Sequence, residues 1–84
     1  MKRLISIVEA RYVTGYRLRL RFSDGAEKTV DLSPWLHGPV FEPLREISIF
    51  KKFFISGGTV CWPNGADVAP ETLRSAQDAS ASAA

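Results

Sequence analysis

From Leu4 to Leu32 apolar and polar side chains alternate, and two glycine-bearing interruptions, "VTG" at 13–15 and "SDG" at 23–25, cut that alternation into three runs. A period of two marks half-buried strands, so the stretch reads as a three-stranded antiparallel meander. If each interruption is a three-residue loop that closes at positive φ, glycine belongs third, where Gly15 and Gly25 stand. In that register Tyr12 faces Tyr16, Ala10 faces Leu18 and Val8 faces Leu20, while across the second hairpin Leu18 faces Val30 and Tyr16 faces Leu32. One face is then apolar apart from Ser6 and Lys28. Two-residue loops would set Phe22 against Glu27 and Leu18 against Asp31, which the hydrophobic pattern rejects.

The other face of the meander carries Arg11, Arg17, Arg19 and Arg21 among Glu9, Glu27 and Asp31. The register sets Glu9 beside Arg19, Arg21 beside Glu27 and Arg17 beside Asp31, and cross-strand opposite charges contribute about 0.2–1 kcal/mol each. Two readings are open: a solvated, internally paired face, or an anion-binding face with nucleic acid as its partner. A sheet that stacks bases needs exposed aromatics among its cations, and here the strand aromatics fall on the opposite side. A net charge of +2, from 11 basic and 9 acidic residues, is mild for a dedicated nucleic-acid binder.

Beyond Leu32 the grammar changes. "DLSPWLHGPVFEPL" holds three prolines, with Ser33 before Pro34 as an N-cap ahead of a proline in the first turn, so helical turns are expected at Pro34–Leu36 and around Glu42–Arg45. Ile47, Phe50 and Phe54 fall at helical spacing, which predicts a short helix over about 48–53 with Ser48 as N-cap, covering the apolar side of the sheet. "FFISGGTVCWP" reads as a second, short hairpin around a glycine pair. "PNGAD" is a turn in which Asp67 caps the next segment, and Pro70 opens a last helical turn in "APETLRSA". The expected fold class is α+β: a three-stranded meander, a short hairpin, one short helix and helical turns packed on one face.

A chain of 84 residues supports one small core, assigned to residues 1–75; "AQDASASAA" at 76–84 has no apolar anchor and is expected to be a disordered tail. After Leu73 the sequence is too short for two helices and a turn. "MKRLISIVEA" is interrupted by Ser6 and Glu9 before it reaches the length of a signal core or a span, and the single cysteine, Cys61, makes no internal disulfide. These features predict a cytoplasmic protein without a membrane segment.

No arrangement of residues suggests catalysis, metal binding or a cofactor, and the chain is expected not to be an enzyme. His37, the one histidine, has no ligand partners at zinc spacing and reads as a loop hydrogen-bonder; Cys61 reads as a small buried apolar residue with no basic neighbour to favour its thiolate. Asp24 and Asp67 fall in turns, where carboxylates cap backbone. "SGGTV" lacks the lysine and following helix of a phosphate loop. Trp35, Trp62, Asn64 and Asp67 form the candidate interaction surface, since two tryptophans in so small a domain serve either the core or an interface. The expected partner is another small protein.

The strings "LRFSDGAEKTVDLSPWLHGPVFEPL" and "VCWPNGADVAPETL" carry a family resemblance. With "FSDG" at a strand end, "DL" followed by "GPVFEPL", and a closing "WPNGAD" with P-x-TL, the chain closely resembles the bacterial family catalogued as domain of unknown function 2442 over about residues 4–75. The resemblance implies a small α+β module, in longer relatives sometimes followed by a helix-turn-helix domain, and often encoded near a second small protein. That context implies a regulatory accessory of the antitoxin kind rather than an enzyme.

Overall fold

The computed structural model describes residues 4–79 of the chain. Its alternating N-terminal half forms one antiparallel sheet in the order β1 (Ile7–Thr14), β2 (Arg17–Phe22), β3 (Glu27–Asp31). A two-stranded hairpin, β4 (Phe54–Ser56) with β5 (Thr59–Cys61), two short helices, α1 (Ile47–Phe50) and α2 (Pro70–Ser75), and 3-10 turns at Ser33–Trp35 and Glu42–Arg45 complete it. This is the expected small α+β architecture, with two short helices rather than one. Among the described residues no helix is long and apolar enough to cross a membrane.

The second hairpin has the register read from its pattern: Leu18 pairs with Val30, Arg17 with Asp31 and Arg21 with Glu27, and Gly25 closes the loop at φ 89°. The first hairpin does not. Ala10 pairs with Leu20 and Tyr12 with Leu18, two residues away from the expected register, and Glu9 lies opposite Arg21 rather than beside Arg19. The turn is Gly15-Tyr16, with Gly15 at φ 54° as first central residue, the sign pattern of a II′ turn. Irregularities between Tyr12 and Thr14 and between Ile7 and Glu9 take up the extra residues Val13 and Val8. The bulge at Val8 turns Ile7 into the core and leaves Val8 exposed, so Val8 does not face Leu20.

The apolar face of the sheet is closed by the C-terminal half. Leu18, Leu20 and Phe22 from β2 are buried together with Phe50, Val60 and Trp62, each large side chain worth about 1.5–3 kcal/mol on transfer from water. The Phe50 ring is central: Tyr16 meets it edge-on at 5.4 Å, Tyr12 at 6.3 Å, and Trp62 lies 5.8 Å away. Trp62 Nε1 donates to the Phe50 carbonyl at 2.8 Å, so the largest buried ring is also polar-satisfied.

α1 is shorter than expected and starts earlier. Ser48 lies inside it rather than at its N-cap, which is Glu46, and the helix ends at Phe50, leaving Phe54 on a strand. Gly57 and Gly58, both at positive φ, set the tight turn of β4–β5, and that turn seats on the start of β1 through Ile7 N–H donating to the Gly58 carbonyl at 2.7 Å. The backbone competes with the helix here because two adjacent glycines favour a I′ turn.

Asp67 does not cap α2: the N-cap is Ala69, without a side-chain bond, and Asp67 instead bridges Cys61 through the backbone. The end of α2 is held by Lys28, whose ammonium donates to the carbonyls of Arg74, at 2.6 Å, and Ala76. Residues 76–79, placed by composition in the tail, run beside β3, where the Thr29 N–H donates to Asp78 Oδ1 at 3.1 Å. The rest of the expected tail, residues 80–84, lies outside the described residues.

Candidate functional site

The arginine side chains stand on the polar face because β2 alternates, burying Leu18 and Leu20 and turning Arg17, Arg19 and Arg21 outward. Each guanidinium has a carboxylate within reach: Arg21 to Glu9 at 2.7 Å, Arg11 to Glu9 at 3.2 Å, Arg19 to Glu27 at 3.5 Å and Arg17 to Asp31 at 3.8 Å. Arg19 also lies 3.4 Å from the Thr29 hydroxyl. Arg11 and Arg19 are directly opposed across the strands, a repulsive placement, and each is drawn to a different acid. Glu9, Arg11, Arg19, Arg21 and Glu27 rim a shallow depression of about 250 Å³ that mixes both signs of charge. The strand aromatics Tyr12, Tyr16 and Phe22 pack on the other side, in or against the core.

The candidate interaction surface divides. Trp62 is buried in the core and is no part of any surface. Trp35 is half-buried, at the end of the first 3-10 turn, and with Arg17, Asp31, Pro34 and residues 76–79 it lines an open groove of about 420 Å³. Asn64 belongs to the turn after β5: its Oδ1 accepts the Ala66 N–H at 3.1 Å and its Nδ2 donates to the Val40 carbonyl at 2.9 Å, so it fixes backbone. Asp67 is exposed beside Cys61. His37 is exposed as well, and among the described residues no three His, Cys, Asp or Glu side chains gather as a metal ion would need.

Asp24 has its carboxyl held below the ordinary value of 3.8, first by the Ala26 N–H that donates to it at 3.1 Å and then by Arg74, 3.0 Å away. The bond to Arg74 joins the β2–β3 loop to α2.

An apolar strip that sequence reasoning missed lies where β1 touches β4. β4 is exposed along its whole length, with Phe54 45% and Ile55 39% accessible, and the bulged residues of β1, Val8 and Val13, are 54% and 47% accessible. Leu4, just before β1, is exposed too. Lys51 and Lys52 lead into β4, and the Lys51 ammonium sits 5.0 Å over the Tyr12 ring of β1. The signal in the sequence is "FKKFFIS": its aromatics suit a helix face or a strand equally, and only the strand exposes Phe54.

No curated protein and no solved structure matches the chain. The model of one protein family does, over residues 7–78, from the first residue of β1 past the end of α2. That span takes in the whole sheet, both helices and the strip between β1 and β4, and the chain belongs to this family, described as protein of unknown function DUF2442.

Proposed function

We propose that the chain is a non-enzymatic protein-interaction module, a regulatory accessory of the antitoxin kind, whose partner is another small protein bound along the apolar strip of β1 and β4. The observation that carries this reading is the exposure of Phe54 and Ile55 on a strand with no covered face, beside Val8 and Val13. Contiguous exposed apolar surface is rare on a monomer and marks contact sites. The regulatory character rests on the family resemblance.

The test is affinity capture from the native host's lysate, with and without nuclease, using the wild-type chain and a Phe54→Ser/Ile55→Ser variant. A single small protein recovered at near-equal stoichiometry, indifferent to nuclease and lost with the variant, is the expected result. Recovery that collapses after nuclease points instead to the arginine face.

That second reading, a nucleic-acid accessory, is the weaker because each of its four guanidiniums already has a carboxylate within 3.8 Å. Binding to a phosphate backbone would have to displace those acids. At about 150 mM salt the chain is expected to show no measurable affinity for duplex DNA, and Arg17→Glu with Arg19→Glu to change nothing. Affinity that falls linearly with log salt and disappears in the double variant would reverse the ranking.

A further inference from the structure

We infer that the partner segment taken by the β1–β4 strip is an extended strand whose apolar residues adjoin acidic ones. This rests on the interaction reading above and deepens it. Two features of the strip, its backbone and its charge, lead to that class of partner.

The glycine turn sets the direction of the backbone groups. With two residues in the turn, Ser56 and Thr59 are the first pair of the hairpin to exchange hydrogen bonds, so the alternation of antiparallel pairing directs the Ile55 N–H and C=O away from β5. β5 is the sole pairing partner of β4 among the described residues. An exposed strand with outward backbone groups and apolar side chains is completed by another strand.

The charge of the strip comes from cations that hold no acid. The arginines of the sheet face and Arg74 all hold carboxylates, while Lys28 and Arg45 hold main-chain carbonyls. Lys51 and Lys52 face no carboxylate among the described residues, and Lys51 is stationed on the Tyr12 ring at the β1 side of the strip. Lys52 is two residues before Phe54, within about 7 Å along the chain. Among the described residues the positive charge left without an acid therefore stands at one end of the exposed apolar strand, and a matching segment carries acids at the corresponding end. Two lysines neutralise about two phosphates, too few for useful affinity to a nucleic acid, and a membrane surface needs a stronger apolar anchor than a three-residue strand.

The probes are two fluorescein-labelled peptides, alternating threonine and valine, one ending in three glutamates and the other in three lysines, titrated by anisotropy. At about 50 mM salt the acidic peptide is expected to bind roughly ten-fold tighter, with the difference shrinking toward about 1 M salt as the charges are screened. Lys51→Glu with Lys52→Glu is expected to invert the preference, and Phe54→Ser with Ile55→Ser to abolish binding of both; thermal melts confirm that the variants fold. Equal affinities, or a preference unchanged by the lysine variant, overturn the acidic partner. So do binding of neither peptide at millimolar concentration, selective binding to phosphatidylserine vesicles, or concentration-dependent self-association through Phe54 and Ile55. In each of those cases the interaction reading stands or falls separately, on whether the captured protein is lost with Phe54→Ser/Ile55→Ser.

Discussion

At Gly58 φ is +81° and a Cβ would lie 2.9 Å from the Ser6 Cβ, whereas its neighbour Gly57, at φ +61°, has open space around the same position. Strain alone penalises alanine at either residue; at Gly58 the clash adds to it and pushes the hairpin off β1, where Ile7 N–H binds the Gly58 carbonyl. Gly57→Ala is expected to cost about 1 kcal/mol and Gly58→Ala about 2 kcal/mol or more, checked by urea unfolding. Asp24 supplies a second residue-scale expectation, in pH. Its carboxyl is held below 3.8 in the folded chain by the Ala26 N–H and Arg74, so the unfolded chain binds the proton more readily. The stabilisation is present above the ordinary value and is lost as pH falls through the lowered one. Asp24→Asn is therefore expected to be less stable than the wild type near pH 6, with the gap closing below about pH 3 in parallel melts.

Among the elements, the two hairpins differ in how far their sequences determine them. The "SDG" loop fits a three-residue turn with glycine last, and the register it implies is the one found. In the first hairpin the real register differs from the expected one by two residues, an even slip that leaves every side chain on its own face. Hydrophobic alternation is blind to such a slip; the deciding factors are Gly15 leading a II′ turn and two bulges that place Val8 and Val13 outside the ladder. The short α1 is hard to bound for a related reason, since an apolar run of "ISIFKKFFIS" has no period long enough to separate helix from strand. α2 depends on a residue remote in sequence: Lys28 of β3 binds the carbonyls at its C-terminal end, where a cation also meets the negative end of the helix dipole. Lys28→Met keeps the stem and removes those bonds. It is expected to cost about 1.5–3 kcal/mol and to speed amide exchange in residues 73–76 while protection in β1–β2 is retained.

For the whole molecule, legibility of the fold exceeded that of the site. The class, the meander and the glycine hairpin follow from alternation and turn chemistry, whereas the candidate surface required knowing which large side chains stay outside. Trp62 looked like interface and is the core, because its indole N–H finds a carbonyl on Phe50 that no local pattern reveals. Phe54 looked like core and is exposed. Since Phe54 and Ile55 are accessible in the isolated chain, replacing both by serine is expected to change stability by less than about 1 kcal/mol, measured by thermal melts, while association with the partner is lost.

Asp78 occupies the Thr29 N–H on the outer side of β3, and Gly58 occupies the Ile7 N–H at the start of β1. The strip open to a partner lies on one flank, along β1 and β4. A building block with a single docking position is monovalent: it terminates an assembly and cannot propagate one, so its complexes close at a fixed small size instead of growing into fibres.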